Sequence, residues 1–429
     1  MKYKLFFAVG LYYLNLFLCA PLAVAQGPIT SPTTAEIFKR FSEHVVKIEV
    51  VEGASGAKAA VGSGFFANER GQIVTNYHVV SKLIHSPDRY RIELSTQSGQ
   101  IGQATVLAVD VIYDLAVLRV NRPSKGFLAL ETTPVAQGTR LYSLGHPQDL
   151  GLTIVEGTYN GLLQHSLYPK VHFTGSLNPG MSGGPTVTHA GKVVGINVAT
   201  EGEQISFLVP AARALTLLER TAKTETPSTA NFLAEVGRQI QANQARYLDG
   251  MFSKATPSLS LGPYALPTKP ADFFHCWADA LRRKDLPYVA ITHDCSTDDY
   301  IFVSSEQSSG IVRFYHQLLS TDELNPSRFF TLYSSQVQAG NVALFGNEEE
   351  VTPFRCLTRN LKTQTGKLKG VLCARQYVKL PGLYDAMFRG ATLGARNVGL
   401  VTTLNLSGVS FENIQTLTQR YAEAIQWRR

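Results

Sequence analysis

The sequence predicts an all-β domain, built as a sandwich or a barrel, followed by a unit of mixed helix and strand. Between about residues 45 and 210, short runs rich in β-branched residues are separated by Gly, Pro, Asn and Asp turns, roughly every 8–12 residues. That spacing is too short for the alternating strands and helices of a parallel α/β fold. After residue 271 helix and strand patterns are mixed, and four cysteines occur there. We therefore expect two domains of different fold class.

The chain begins with a segment typical of a signal peptide. Lys2 and Lys4 are followed by an apolar run through Leu18 and by Ala-Val-Ala at 23–25. This arrangement predicts cleavage near Ala25 and hence a periplasmic or secreted protein. The alternative is a retained membrane anchor, which the short apolar run disfavours. Later runs are too short or too polar to cross a bilayer, so the mature protein is not expected to span a membrane.

Composition shifts along the chain predict the domain boundaries. We expect a signal peptide over 1–25, the β-rich domain over 26–225, a helical and Pro-rich linker over 226–270, and a C-terminal domain of unknown fold over 271–429. A Thr/Pro/Ser stretch at 224–230 marks the end of the β-rich domain.

Composition also excludes several classes of function. Without the signal peptide and its two lysines, 38 basic and 33 acidic residues remain, with no Lys/Arg-rich run interleaved with aromatic residues. Such a mild and scattered charge predicts no nucleic-acid partner. The sequence also lacks the His-Glu-x-x-His motif of metalloproteases, a phosphate-binding Gly-rich loop and a dinucleotide fingerprint. No cofactor and no metal are therefore expected.

The cysteines are expected to form disulfides. Those that remain after cleavage of the signal peptide are Cys276, Cys295, Cys356 and Cys373. An even number in an exported chain favours disulfides, and proximity in sequence predicts the pairs 276–295 and 356–373, each contributing roughly 3 kcal/mol. A zinc site is the alternative, because His275 and His293 lie close to the first pair.

Three segments of the β-rich domain carry residues suited to acyl transfer. They contain His78 (segment 73–80), Asp114 (segment 110–118) and Ser182 (segment 178–185). Acyl transfer through a serine needs a nucleophile, a base that takes its proton and a carboxylate that orients the base. Each residue alone has an ordinary structural explanation, but their joint occurrence predicts a catalytic triad. The backbone N–H groups of Gly180 and Ser182 are predicted to form the oxyanion hole.

These segments, with Tyr-Ser-Leu-Gly-His-Pro at 142–147 and Ile-Ser-Phe-Leu-Val-Pro at 205–210, resemble signatures of the HtrA/Deg branch of trypsin-like serine proteases. The resemblance covers about residues 42–220. It implies two six-stranded β-barrels, with His78 and Asp114 on the first, Ser182 on the second and the site in the cleft between them. HtrA/Deg proteins usually carry PDZ domains after the protease, but no Gly-Leu-Gly-Phe-like loop follows residue 225. PDZ-driven activation and caged oligomers are therefore not expected.

Two further departures concern activation and specificity. Met181 stands where digestive relatives have an Asp that pairs with a new N-terminus, which predicts that such zymogen activation is absent. Ser176 stands six residues before the nucleophile, where trypsin-type enzymes have an Asp, and no acid occurs from Phe173 to Ser182. A pocket for Lys or Arg therefore lacks its counter-charge.

The substrate pocket is predicted to accept small or medium apolar side chains. Its expected lining residues are Ser176, Leu177, Ser206, Phe207 and Leu208. Two alternatives stay open. His172 could favour an acidic side chain, and Glu201 or Glu203 could supply a charge from the neighbouring loop.

The sequence thus predicts an exported serine endopeptidase that acts on unfolded or misfolded extracytoplasmic proteins through an acyl-enzyme on Ser182. The alternative is a catalytically latent protein that keeps this fold and uses its cleft for binding or as a chaperone. The expected partners are polypeptide substrates, and the C-terminal domain could bind a partner or the cell surface.

Overall fold

The computed structural model of the chain describes residues 32–221, 231–252, 257–297, 299–338, 346–363, 365–394 and 396–428. The predicted signal peptide and the stretch at 224–230 lie outside these ranges. Within them, no helix combines the length and the apolar character that a bilayer crossing requires.

The first six strands close into an antiparallel barrel. Their bounds are Val45–Glu52 (β1), Lys58–Phe66 (β2), Gln72–Thr75 (β3), Tyr90–Thr96 (β4), Gly99–Asp110 (β5) and Leu115–Val120 (β6), and the strand order is β1-β2-β3-β6-β5-β4. Helix α1 (Thr34–Phe41) precedes the barrel and begins at a capping box formed by Thr33 and Glu36. Helix α2 (Tyr77–His85) follows β3 directly, so the end of this strand fixes where the helix begins.

The next six strands close into a second barrel. Their bounds are Arg140–Gly145 (β7), Thr153–Leu162 (β8), Val171–Thr174 (β9), Pro185–Val187 (β10), Val193–Thr200 (β11) and Ser206–Pro210 (β12), and the strand order is β10-β11-β12-β9-β8-β7. Helix α3 (Ala211–Thr221) begins directly after β12. Its buried Ala214 and Leu217 belong to an apolar cluster that contains residues of both barrels.

Helix α4 (Phe232–Phe252) occupies the segment expected to be a linker. Its Gln239 side chain accepts a hydrogen bond from the Val111 N–H at 2.9 Å and donates one to the Val109 carbonyl at 2.9 Å. Val236 and Ile240 are buried in the apolar core of the first barrel. This helix is therefore packed against the β-rich domain, and the boundaries of a separate linker stay a prediction.

The C-terminal part is a mostly β unit around a seven-stranded antiparallel sheet. The bounds of its strands are Phe274–Leu281 (β15), Val289–Thr297 (β16), Val312–Ser320 (β19), Arg355–Lys362 (β20), Lys367–Gln376 (β21), Tyr384–Thr392 (β22) and Val398–Val409 (β23), and their order is β15-β16-β19-β23-β22-β21-β20. A small sheet contains Ser258–Leu261 (β13), Tyr264–Pro267 (β14) and Gln426–Trp427 (β24), and a hairpin contains Ile301–Ser304 (β17) and Gln307–Ser309 (β18). Helices α5 (Pro326–Gln338) and α6 (Phe411–Glu423) pack against β23.

Two disulfides join neighbouring strands at the two edges of this sheet. Cys276–Cys295 links β15 to β16, and Cys356–Cys373 links β20 to β21, each between residues directly opposite in the register. His293 lies beside the first pair, but both thiols of that pair are consumed in the bridge, so the zinc alternative does not fit. The predicted fold class, with two six-stranded barrels followed by a disulfide-bearing unit, is confirmed.

Candidate active site

His78 and Asp114 form a tightly hydrogen-bonded pair on the first barrel. His78 lies in the first turn of α2, where backbone N–H groups have no partner within the helix. One Asp114 carboxylate oxygen accepts a hydrogen bond from the His78 backbone N–H at 2.8 Å, and the other lies 2.6 Å from Nδ1 of the ring. The carboxylate thus caps the helix and fixes the imidazole so that Nε2 faces away from Asp114.

Asp114 adopts an unusual backbone conformation that Asn76 supports. Its φ is +52°, in the left-handed region that non-glycine residues enter only when the surroundings hold them there. Asn76, the residue before α2, donates from its side-chain amide to the Asp114 carbonyl at 2.7 Å. The start of the helix and the carboxylate are therefore positioned by one contact.

The charge of Asp114 determines the basicity of His78. Burial lowers the pKa of His78, but the negative charge and hydrogen bond of Asp114 together outweigh it, and the pKa lies above its ordinary value. The side chain of His78 remains 28% exposed, so the ring is reachable from the cleft. This is the environment that a general base needs.

Ser182 lies on the second barrel against the first barrel. The Ser63 backbone N–H, on β2, donates to the Ser182 carbonyl at 2.8 Å. At Gly183 an added Cβ would lie 2.3 Å from the Thr75 hydroxyl and 2.9 Å from the Asn76 nitrogen, and its φ is +83°. Only glycine fits there, and Ser182 is thereby placed next to the residues that lead into His78. Among the described residues, the hydrogen bonds of His78 do not include one to the Ser182 hydroxyl, a bond that often tightens only when substrate binds.

A hydrogen bond fixes the orientation of the peptide between Pro179 and Gly180, in the loop before Ser182. The Pro179 carbonyl accepts a hydrogen bond from the Gln148 N–H at 2.9 Å. In a trans peptide the carbonyl and the following N–H point in opposite directions, so the Gly180 N–H faces away from Gln148. Gly180 has a φ of +96°, and a Cβ there would lie 2.3 Å from the His146 carbonyl. The Ser63 hydroxyl donates to the Gly180 carbonyl at 2.8 Å and fixes the other side of this residue.

Ion pairs hold the Gln148 loop against the first barrel. Asp149 contacts both Lys47 on β1 and Lys58 on β2, the latter at 2.6 Å. Hydrogen bonds from these lysines lower the pKa of Asp149 to about 2. His146, in the same loop, is buried, and burial lowers its pKa to about 4, so it is neutral at physiological pH. The position of this loop, and of Pro179 that it hydrogen-bonds, therefore depends on contacts with the first barrel.

The predicted pocket residues occupy two faces of the second barrel. Ser206 and Leu208 are buried on the inner face of β12, and Leu177 is 7% exposed beside Phe173. The Ser206 hydroxyl donates to the Gly175 carbonyl at 2.7 Å and accepts from the Leu177 N–H at 3.3 Å. Ser176 is exposed.

Phe207, predicted to line the pocket with them, lies on the opposite face because successive side chains of a strand alternate. It is half-buried and pairs in register with His172.

Sequence reasoning missed the residues that hold the site in place. Each of them hydrogen-bonds to a segment that contains a predicted site residue, through a buried side chain in Asn76, Ser63 and Asn197 and through a backbone N–H in the exposed Gln148. Asn197 donates to the Met181 carbonyl at 3.1 Å and to the Leu144 carbonyl at 3.3 Å. Asn76 stands inside the segment 73–80 that contains His78, so its position was a usable signal. Gln148 acts through its backbone, which leaves no trace in residue type.

The model of the trypsin-like peptidase domain family matches residues 62–196, which include His78, Asp114 and Ser182. The chain carries a trypsin-like peptidase domain. The predicted resemblance to HtrA/Deg proteases is also confirmed for this domain. Serine protease HTRA2, mitochondrial, of Bos taurus is 30% identical over 257 residues, which are 55% of this chain and 52% of that protein.

A bacterial relative and a solved structure are also similar to part of the chain. Serine endoprotease DegS of Salmonella typhimurium is 27% identical over 280 residues, covering 57% of this chain and 75% of that protein. The crystal structure of the serine endoprotease from Yersinia pestis has 27% identity, covers 45% of this chain and 68% of that one, and has a TM-score of 0.39. The chain spans about half the length of the HTRA2 and HTRA3 relatives it matches first.

Proposed function

We propose that this chain is an exported serine endopeptidase that cleaves polypeptides through an acyl-enzyme on Ser182. The observation that carries the proposal is the His78–Asp114 pair, with 2.6 Å between ring nitrogen and carboxylate, next to a glycine loop in which the Gly180 N–H points away from Gln148. Asp114 keeps the proton of His78 on Nδ1, so Nε2 is free to accept the proton of the serine hydroxyl.

Each residue then has one role in the reaction. Ser182 Oγ attacks the substrate carbonyl while His78 takes its proton, and the same histidine later gives that proton to the leaving amine. The N–H groups of Gly180 and Ser182 stabilise the negative oxygen of the tetrahedral intermediate. Each such donor raises kcat by roughly 10²–10³-fold. Water attacks the acyl-enzyme in the second half of the reaction, again with His78 as base.

The substrate class follows from the pocket and the signal segment. Ser176, Leu177, Ser206 and Leu208 would form a pocket for small or medium apolar side chains. Such side chains are buried in folded proteins and become accessible when a protein unfolds. Unfolded or misfolded proteins outside the cytoplasm are therefore the proposed substrates, with cleavage of residues 1–25 on export.

Covalent labelling tests the proposal against a latent, binding-only protein. A fluorophosphonate should label Ser182 in the full-length protein, and Ser182→Ala should abolish both the label and peptide hydrolysis, a loss of roughly six orders of magnitude. Ser327→Ala, an exposed serine of α5, should change neither. Labelling that persists in Ser182→Ala, or a wild-type protein that neither labels nor hydrolyses, would contradict the proposal and favour the binding function.

A further inference from the structure

The hairpin β17–β18 of the C-terminal unit packs directly against the helix that carries His78. The Val303 carbonyl accepts a hydrogen bond from the buried Tyr77 hydroxyl at 2.8 Å and lies 3.0 Å from His85 Nε2. Tyr77 and His85 are the first and last residues of α2. A single backbone carbonyl of the C-terminal unit therefore contacts both ends of this helix.

The same hairpin is fixed to the second barrel at its base. The carboxylate of Asp299 accepts hydrogen bonds from the Leu167 N–H at 2.9 Å and from the Ser166 hydroxyl at 2.7 Å. It also pairs with Lys170 at 2.8 Å. Asp299 is 8% exposed, so these contacts are shielded from solvent. The strand that begins two residues later is thus held by both barrels next to the cleft.

Strand β17 places one aromatic side chain beside His78. Ile301 and Val303 are buried in the apolar core of the first barrel. Phe302, between them, packs at the edge of the same core, with 6.3 Å between its ring centroid and that of Tyr77. Its ring lies edge-on to the His78 ring, with 5.8 Å between centroids, and it is only half-buried. Phe302 is thus a partly exposed apolar surface beside the imidazole.

We propose that Phe302 is a specificity-determining residue: it forms the apolar wall of the substrate subsite bordering His78 and favours an apolar substrate side chain beside the residue that enters the primary pocket. This inference rests on the proposed peptidase activity. A substrate in the cleft must pass the exposed edge of His78, and a side chain lying there would contact Phe302. An apolar side chain would lose contact with water on both sides, whereas a polar one would lose hydrogen bonds to water.

Two sets of peptides, differing only in one residue, test the proposal in the full-length protein. The primary residue is the one before the scissile bond, whose side chain enters the primary pocket. One set has Leu or Ser immediately before the primary residue, and the other has Leu or Ser immediately after the scissile bond. The wild type should prefer Leu over Ser in kcat/KM at one of these positions by about tenfold. Phe302→Ala should reduce that ratio to near one, and Phe302→Leu should preserve most of it. The preference for the primary residue should stay the same in all three proteins.

Controls separate this inference from folding and from the proposed function. Phe330→Ala removes an aromatic ring that is 61% exposed on α5 and should leave both ratios unchanged. Fluorophosphonate labelling of each variant reports whether the site is formed, and Phe302→Thr, which suits a strand and should also lower the ratio, replaces Phe302→Ala if that variant does not fold. If the wild type hydrolyses peptides but its Leu/Ser ratios equal those of Phe302→Ala and Phe302→Leu at both positions, only the subsite proposal is refuted. A wild type without hydrolysis or labelling refutes the proposed function, and the subsite proposal with it.

Discussion

The primary pocket should select Val over Arg, and a single substitution should reverse much of that selection. The groups that would surround a bound side chain are apolar or already hydrogen-bonded, since the Ser206 hydroxyl is occupied by Gly175 and Leu177. From Phe173 to Ser182 no carboxylate is available to pair with a cation. An Arg side chain would therefore be buried without a counter-charge.

The expected ratios of kcat/KM follow from the substrate groups that the pocket buries. Val adds two carbons to Ala, and each buried methylene contributes about 0.8 kcal/mol, so Val should exceed Ala by roughly tenfold in kcat/KM. Desolvating an unpaired guanidinium costs several kcal/mol, so Val should exceed Arg by about a hundredfold or more. Both estimates refer to substrates that differ only in the residue before the scissile bond.

The assay compares these substrates in the wild type and in Ser176→Asp. Ser176 is exposed and lies six residues before the nucleophile, so an Asp there can reach a cation without being buried in the barrel core. Ser176→Asp should raise kcat/KM for Arg at least tenfold relative to Val. Ser327→Asp introduces the same charge on α5 and should leave the ratio unchanged. A wild-type preference for Arg would refute the apolar pocket and point to Glu201 or Glu203 as the counter-charge.

Two further predictions concern the oxyanion loop and acid stability. Asp149→Asn removes the ion pairs with Lys47 and Lys58, so the loop that holds Pro179 should loosen and kcat should fall severalfold with little change in KM. The control Glu156→Gln, which breaks an exposed pair with Arg140 on the second barrel, should be neutral, and an unchanged kcat in Asp149→Asn would exclude a positioning role. Burial lowers the pKa of His316 from 6.5 to about 4, so the unfolded chain binds its proton more tightly. The contribution of neutral His316 to the free energy of unfolding is therefore fully present above pH 6.5. It falls by up to about 3 kcal/mol as the pH drops towards 4. Denaturant unfolding of the wild type and His316→Gln at pH 7.5 and 4.5 measures this, and equal losses in both proteins would contradict it.

The segments that contain His78, Asp114 and Ser182 could be singled out because acyl transfer requires few residue types and each of these residues lies in a short contiguous motif. The glycines at 180 and 183 carry information in the sequence, since the positive φ values of +96° and +83° and the close neighbours admit no Cβ. The regular spacing of short β-rich runs indicated a barrel or a sandwich, and the family resemblance implied the number of strands. The disulfides followed from the even count and spacing of the cysteines, and the structure confirms both pairs.

The supporting contacts could not be predicted because they join segments that are remote in sequence. The hydrogen bond from Tyr77 to Val303 spans 226 positions, and that from Val111 to Gln239 spans 128. Periodicity reports which face of an element is apolar but not which other element covers it. Helix α4 illustrates this limit, since the sequence predicted a helical linker there but not its packing against the first barrel.

The shared core makes the C-terminal unit a structural part of the peptidase site. Val303 and Ile301 are buried in the same apolar cluster as Val79 and Val80 of α2, and burying each such side chain contributes about 1.5–3 kcal/mol. Detaching the hairpin would expose this surface and leave the Tyr77 hydroxyl without its bond to Val303. Docking of the hairpin and placement of His78 are therefore energetically coupled. It follows that a molecule bound to the C-terminal unit can change catalysis only if it binds the states with the hairpin docked and undocked with different affinities.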